Sequence, residues 1–280
     1  MSKQNLLKEG PLLDSKGNLN EAGYAFSLVK EYDRKAIKRM AWRIKEWDYY
    51  YVGDDKYGVA LTVADNSYMS LVSVSVLDFV NKKEWTKSYM GWLTFGSLEL
   101  PNSSKTGDVH HESKKFNMYF KNRDGKRRLV CTMKDVAKNA DFSCDIVLSE
   151  TLDKSMVIAT PFKKKRHFYY NQKINLLRAT GSFSFGPISY NFPKDTFGVL
   201  DWGRGTWTYS NTWYWASLNF KHKGHNVGFN LGYGFGDTSN ASENMFFYDR
   251  LIVYVGENSY VLKCFNRANN GESRKKSLYT

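Results

Sequence analysis

The chain has 280 residues, of which 42% are hydrophobic, 25% charged and 16% aromatic, and its formal net charge is +13. This apolar content is enough to bury a core, so the composition excludes an intrinsically disordered chain. The length allows one large β domain or two barrel-sized halves, because a domain commonly holds about 100–200 residues.

The basic residues stand in short runs that are spread along the chain. The densest run is 163–166, and others lie at 127–128 and 274–276. Short runs of charge are usually solvated turns, and a phosphate-binding or membrane-surface patch is the alternative. We therefore expect no nucleic-acid partner. Binding to a membrane surface is possible, but no sequence feature favours it. The composition does not determine the oligomeric state.

Targeting, membrane and metal-binding signals are missing from the sequence. The first residues lack the apolar stretch of a secretory signal, and no run of about 18 apolar residues occurs. The three cysteines have no CxxC spacing, which favours neither disulfides nor zinc. His110 and His111 are adjacent and would point to opposite faces of a strand. We predict a cytoplasmic protein with no metal and no cofactor.

The first 41 residues lack a clear strand pattern. Asn20 is a suitable N-cap for a short helix running toward Met40. An extended strap is the alternative, and the sequence leaves both open.

From Trp42 onward, period-2 alternation predicts strands joined by short turns. Asp-Gly and Lys-Gly pairs mark two of the turns, since glycine tolerates positive φ. Because strands recur without intervening helices, an antiparallel meander is expected. The predicted strand pairs are 57–79 (break at 66–69), 116–133 (turn at Asp124-Gly125), 143–162 (turn at 152–154) and 212–235 (turn at Lys223-Gly224).

Residues 198–215 hold the densest group of Trp and charged residues. Gly203 and Gly205 flank Arg204, and glycine within a strand often marks a bulge. A bulge re-aims side chains, so we expect this one to turn Asp201 and Arg204 toward a cavity. There the Arg would hold the Asp ionised or orient a polar ligand group. An Asp–Arg pair that only stabilises the fold is the alternative.

Two further segments carry candidate groups. In a strand over 42–51, Glu46 and Asp48 share one face and Trp47 lies on the other. Two carboxylates on one face suit acid–base chemistry, because neighbouring carboxyls separate in pKa, although cross-strand ion pairs would use the same residues. Over 232–236 glycines alternate with aromatic residues, so one strand face must lie close to another backbone or a ligand. Glu243, in the polar stretch that follows, is interpreted as a loop or cap residue.

Four long strings carry a family resemblance: LLDSKGNLNEAGYA, WRIKEWDYYY, LDWGRGTWTYSNTWYW and GFNLGYGFGDTSNASENMFFYD. Through them the chain resembles, from about residue 6 to 249, a bacterial family known only as a domain of unknown function (number 2804). More distantly, the WGRG turn before Trp-rich strands is similar to tandem lipocalin-like proteins. Those include carotenoid hydratases, which bind apolar substrates between two β barrels. The paired His-Asn character of the hydratase motif is missing here, so hydration is not predicted.

We predict a mainly β, antiparallel fold of two consecutive lipocalin-like modules. Residues 1–41 form the N-terminal strap or short helix, 42–160 the first module and 161–280 the second. A single large β sandwich is the alternative. The resemblance implies further strands after the FFYD segment, whereas the end of this chain is polar and basic. We therefore expect a truncated second module, with mobile residues after about 264 and an unpaired strand near 232–235.

The expected function is a binding or enzyme-like β barrel for an apolar or amphipathic small molecule, with the reaction undefined. A glycan-binding or glycan-processing protein is one alternative, and a basic surface module for nucleic acid or anionic lipid is another. Asp201 and Arg204 are expected within ion-pair distance of each other or of Glu46, beside Trp207 and Trp213, at the mouth of a concave pocket. The predicted catalytic residues are Asp201, Arg204 and Glu46, and the predicted ligand-binding residues are Trp47, Trp202, Trp207, Trp213, Trp215 and Tyr233.

Overall fold

A computed structural model describes residues 4–254 of the chain, and almost all of its regular structure is β. Helical structure in this range is limited to two three-residue 3₁₀ turns, Arg34–Ala36 and Ala41–Arg43. The strands are β1 (Gly10–Pro11), β2 (Gly23–Ala25), β3 (Lys30–Glu31), β4 (Lys45–Gly53), β5 (Tyr57–Asp65), β6 (Met69–Asp78), β7 (Lys83–Trp92), β8 (Val109–Glu112), β9 (Phe116–Arg123), β10 (Lys126–Ala137), β11 (Ala140–Ser149), β12 (Met156–Pro161), β13 (Phe168–Phe185), β14 (Ile188–Asn191), β15 (Phe197–Thr206), β16 (Tyr214–His222), β17 (His225–Tyr233), β18 (Met245–Tyr248) and β19 (Leu251–Tyr254).

A 13-stranded antiparallel sheet forms the body of the molecule, in the order β7-β6-β5-β4-β15-β13-β11-β10-β9-β8. Strands β12 and β14 also pair with β13, and β2 pairs with β12. The sheet curls until its edges approach each other. Tyr89 of β7 donates to the Lys134 carbonyl of β10 at 3.2 Å and stacks on Phe116 of β9, with ring centroids 5.4 Å apart. The predicted mainly β, antiparallel, lipocalin-like fold is confirmed.

The concave face of this sheet is a packed core. Because neighbouring strand residues point to opposite faces, alternate residues of each strand enter it. The large side chains of Tyr50, Phe120 and Trp202 are 1%, 0% and 0% exposed, so solvent-sized space next to them is negligible. The concave side is therefore occupied by the protein's own side chains.

Local sequence signals located the hairpins correctly. β5 and β6 pair around the predicted break, and β9 and β10 turn at Asp124 and Gly125, with φ of 51° and 70°. β16 and β17 turn at Lys223-Gly224. The two strands predicted over 143–162 exist as β11 and β12, but they do not pair with each other. Both pair with β13 instead.

The N-terminal segment is extended. Asn20 begins no helix, and β2 pairs with β12 while Leu12 and Tyr32 are buried in the core. The helix alternative is therefore wrong for the described residues. No helix within residues 4–254 is long and apolar enough to cross a membrane.

A four-stranded sheet, β16-β17-β18-β19, packs on the convex side of the main sheet over β13 and β15. β13 shifts register between Ile174 and Leu177, and Leu176 there has a φ of 56°. The Leu176 N–H donates to Asn219 of β16 at 2.9 Å, so the irregularity joins the two sheets.

The predicted module boundary at residue 160 lies within the main sheet, because β13 and β15 pair with β11 and β4. The division of the chain into domains stays a prediction. The predicted mobile tail after residue 264 lies outside the described residues.

Candidate functional site

Strand β15 runs through the centre of the main sheet and presents different residues to its two sides. Trp202 and Arg204 point to the concave core, while Asp201 and Gly203 point to the convex side, toward the four-stranded sheet. Pairing with β4 is continuous from Phe197 to Gly205, so the predicted bulge at Gly203 and Gly205 is absent. In a regular strand, residues three positions apart lie on opposite faces. The expected Asp201–Arg204 pair is therefore wrong.

Arg204 is fully buried and hydrogen-bonds to β4 and to the segment around Pro101. Its guanidinium donates to the carbonyl oxygens of Trp47 at 2.7 Å and Pro101 at 2.8 Å, and to the Asp48 carboxylate at 2.9 Å. Its Cζ lies 4.4 Å from the Trp202 ring centroid. Burial raises the pKa of Asp48, and the neighbouring Arg204 charge opposes that rise.

Glu46 lies beside this arginine, 3.9 Å from Arg204 Nε, as predicted. Glu46 accepts a 2.7 Å hydrogen bond from the Tyr32 hydroxyl and forms an ion pair with Arg34 of the N-terminal segment. Burial, and then the Glu46 charge, raise the pKa of Tyr32. Two guanidinium groups thus face two carboxylates. We call Tyr32, Arg34, Glu46, Asp48 and Arg204 the inner cluster.

A second charged group lies on the convex side, between the two sheets. Lys173 of β13 is buried, and its Nζ is 2.6 Å from Asp201 Oδ2 and 3.4 Å from Glu243 Oε1. Asp201 Oδ1 also accepts from Asn171 at 2.7 Å and from the Trp47 indole at 3.3 Å. We call Trp47, Asn171, Lys173, Asp201 and Glu243 the outer cluster.

Glu243 is brought to this place by the absence of a side chain at Gly232. A Cβ on Gly232 would lie 2.4 Å from Glu243 Cδ, so only glycine leaves room for the carboxyl. Burial raises the pKa of Glu243, Lys173 opposes the rise, and Asp201 adds to it. With two carboxyls and one ammonium, this is a group in which a carboxyl can hold a proton.

Two buried polar atoms near this group have no hydrogen-bond partner in the described part of the chain, Asn171 Oδ1 and Thr160 Oγ1. Their residues are diagonal neighbours on the convex side, because Thr160 pairs with Tyr169 and Asn171 is two positions further along β13. Buried polar atoms usually have partners. The filled core also holds such atoms, among them the Tyr50 hydroxyl and Trp202 Nε1, so these two atoms alone do not mark a ligand.

An aromatic wall adjoins the outer cluster. Trp47 stacks on Tyr169 at 5.7 Å and meets Trp207 edge to face at 5.2 Å between ring centroids. Phe235 continues the wall, 5.5 Å from Trp207 and 5.2 Å from Trp213. Trp213 is 56% exposed, so the wall extends from the buried charges to solvent.

The structure separates the predicted site residues into groups. Trp47, Trp207 and Trp213 join Asp201 on the convex side, and Trp215 lies there too, with Lys173 Nζ 4.6 Å from its ring centroid. Arg204, Glu46 and Trp202 belong to the core side. Tyr233 is 69% exposed and points away from both.

Lys173, Asn171 and Glu243 were missed as site residues. Sequence signals for the first two exist, since Asn171, Gln172 and Lys173 form a consecutive polar triplet in a strand that is otherwise mostly apolar from 168 to 177. Glu243 was interpreted as a loop or cap residue, and no local pattern distinguishes it from one.

Two depressions on the described surface lie away from both clusters. That Asp201 and Arg204 lie at the mouth of a concave pocket therefore stays a prediction. Within residues 4–254, no three His, Cys, Asp or Glu side chains are arranged to hold a metal ion. One depression is lined by Asn139, Asp141, Ser184, Gly186 and Pro187, and the other by 112–117, 132–134, 141–143 and Ser184.

Comparison with known proteins gives a family and a fold. The chain is similar to the 2.00 Å crystal structure of a Nitrosomonas europaea protein provisionally named AttH (NE1406), with a TM-score of 0.50 and 12% identity, covering 85% of this chain and 71% of that one. For kievitone hydratase from Nectria haematococca the TM-score is 0.48 and the identity 13%, covering 89% and 74%. No curated protein matches by sequence.

At such identities the first of these structures supports the fold alone. The sequence resemblance is confirmed at the level of the family, because the model described as "Domain of unknown function (DUF2804)" matches residues 3–267. The chain belongs to this family.

Proposed function

We propose that the protein binds an apolar or amphipathic small molecule between its two sheets, along the aromatic wall, with a polar group of the ligand at the outer cluster. The observation that carries this proposal is the buried Lys173 held between Asp201 and Glu243 beside that wall. Small-molecule sites combine apolar walls with a few placed polar groups, and strongly perturbed titratable groups concentrate at such sites.

Glu243 is the proposed proton donor if the ligand is also transformed. Its raised pKa keeps the carboxyl protonated to higher pH than a solvated glutamate, which is what a general acid requires. Asp201, held by Lys173, Asn171 and Trp47, would orient the ligand's polar group. Arg204 and Glu46 lie outside the proposed site, because both side chains face the filled core.

The glycan alternative has less support. Glycoside-processing enzymes place the sugar between two carboxyl groups, and here Lys173 already occupies the space between Asp201 and Glu243. The basic-surface alternative also has less support, because several basic side chains are engaged in ion pairs, such as Arg123–Asp108 and Arg128–Asp145.

The experiment is solvent extraction of the purified protein followed by mass spectrometry, with two matched variants. Asn171 and Asn122 are both buried, both donate through their amides, and both leave Oδ1 without a described partner. Only Asn171 adjoins the outer cluster. A bound small molecule should be recovered from wild type and Asn122→Leu, and be lost from Asn171→Leu.

Equal recovery from both variants would mean that the ligand binds elsewhere. A protein that yields no small molecule, and whose melting temperature no alkanol, fatty acid or aromatic alcohol raises, would contradict the proposal. Once the ligand is known, conversion by wild type but only binding by Glu243→Gln would establish the proton-donor role.

A further inference from the structure

Lys45 is a buried cation on the same convex face, at the far end of the aromatic wall. It is 9% exposed, and its Nζ lies 4.9 Å from the ring centroid of Trp207 and 5.4 Å from that of Tyr209. Within residues 4–254 no carboxylate lies within 4.0 Å of its ammonium and no acceptor hydrogen-bonds to it. Among the described lysines, the others buried to this degree, Lys30 and Lys173, each have a carboxylate partner.

Arg43 stands next to it without a counter-charge either. Its guanidinium lies 4.2 Å from the Tyr209 ring centroid and donates to the Trp207 carbonyl at 3.3 Å, while its Nε is buried without a described partner. His167 Nε2 is 3.4 Å from Arg43 Nη2. Burial, and then the Arg43 charge, lower the pKa of Lys45. Burial also lowers the pKa of His167, so its neutral ring accepts from the Arg43 guanidinium, and this contact adds no counter-charge.

Neighbouring like charges in a partly dry place are unfavourable without an anion. Cation–π contacts with Trp207 and Tyr209 offset a part of this cost. They provide no hydrogen-bond acceptor for the ammonium. An oxyanion would supply both an acceptor and a counter-charge.

We propose that Arg43 and Lys45 bind the oxyanion group, a carboxylate or a phosphate, of an amphipathic ligand whose apolar part lies along the aromatic wall. This inference rests on the proposed function and gives the ligand a charge. Lys45 and Tyr49 are four residues apart on β4, and Tyr49 pairs with Asp201. The anionic end therefore lies about 13 Å from Asp201 of the outer cluster, at roughly 3.3 Å per strand residue.

The test compares dodecanoate with dodecan-1-ol, which share the alkyl chain and differ in charge, and adds dodecyl phosphate. Affinities are measured by calorimetry at sub-micellar concentration for wild type, Lys45→Met, Lys45→Arg and Lys115→Met. Lys115 is the matched control, since it is an exposed cation 5.7 Å from the ring of Tyr89, outside the site. Melting temperatures confirm that each variant is folded.

We expect wild type and Lys115→Met to prefer dodecanoate over dodecanol. In Lys45→Met the dodecanoate affinity should fall about tenfold or more with dodecanol unchanged, because one charge-assisted hydrogen bond is lost. Lys45→Arg should keep the preference. Tighter binding of dodecyl phosphate would assign the oxyanion as phosphate.

Equal wild-type affinity for dodecanoate and dodecanol would overturn the inference while the proposed function stands. The same holds if Lys115→Met changes the ratio as much as Lys45→Met. If Lys45→Met does not fold, wild-type discrimination between the two probes still decides. Binding of none of the three probes would count against the inference and the proposed function together.

Discussion

The inner and outer clusters lie on opposite faces of the same two strands, β4 and β15, and they differ in their balance of charge. The inner cluster opposes two carboxylates with two guanidinium groups, and its members bind backbone carbonyls of separate elements. The outer cluster has two carboxyls for one ammonium, and an aromatic wall joins it to solvent. Removing a member of the inner cluster leaves a buried charge unpaired, which is costly, whereas the unequal charges of the outer cluster, beside the aromatic wall, are better suited to a ligand.

The largest effect is expected at the inner cluster. Arg204→Met leaves Asp48 and Glu46 buried with one fewer cation, so the free energy of unfolding in urea should fall by about 3–5 kcal/mol. The control Arg128→Met breaks the exposed pair with Asp145 and should leave the free energy of unfolding nearly unchanged. If Arg204→Lys keeps wild-type stability and loses ligand, Arg204 belongs to the site instead.

Lys45 tests what an unpaired buried cation does to stability. Burial, and then Arg43, lower its pKa to about 8 from 10.5. Between these values the unfolded chain binds a proton that the folded chain has lost, so stability rises with pH. Between about pH 8 and 10.5, the free energy of unfolding of wild type in urea should rise by at most about 3 kcal/mol relative to that of Lys45→Met. Parallel pH curves for the two proteins would contradict the lowered pKa.

Gly232→Ala perturbs the outer cluster without removing a charge. The new Cβ would lie 2.4 Å from Glu243 Cδ, so the carboxyl must move away from Lys173. We expect a loss of about 1–3 kcal/mol in the free energy of unfolding, typical of overpacking, together with weaker ligand binding. Unchanged stability and binding would show that Glu243 has no fixed position.

Glu243→Gln should have the smallest effect on stability and the clearest dependence on pH. Because the folded pKa is raised, the folded chain keeps a proton above pH 4.5 that the unfolded chain releases, so wild-type stability falls as pH rises through this window. Gln resembles the protonated carboxyl and lacks this fall. Melting temperatures measured upward from about pH 4 should therefore favour the variant increasingly. The opposite trend would mean a carboxylate stabilised by folding.

The parts of the fold that depend on neighbouring residues could be predicted from the sequence. The β5–β6 hairpin and the Asp124-Gly125 turn follow from alternation and from the need for positive φ. The same period places Glu46 and Asp48 on one face of β4 and Trp47 on the other, as expected.

The error at Asp201 and Arg204 shows where local reasoning failed. The sequence predicts a bulge at Gly203, but a Cβ there would lie 2.4 Å from the Trp47 ring, so glycine is needed because of the partner strand. The sequence of β15 alone holds no information on what β4 places opposite it.

The outer cluster depends on long-range register in the same way. Lys173 meets Asp201 because β13 pairs with β15 in one particular register, and Glu243 comes from the connection between β17 and β18 of the four-stranded sheet. A polar triplet inside an apolar strand could have marked Lys173. Only the tertiary structure could mark Glu243.

The pairing of β15 with β4 also has a consequence for how the chain folds. Gly53 pairs with Phe197, so the hairpins β4–β7 are synthesised long before the strand that joins them to the rest of the sheet. Until then the edge of β4 has free backbone groups that can pair with another chain. Contacts so distant in sequence form slowly, and a slow closing step prolongs that exposure. Aggregation during synthesis should therefore respond more to changes in β15 than to changes in the early hairpins.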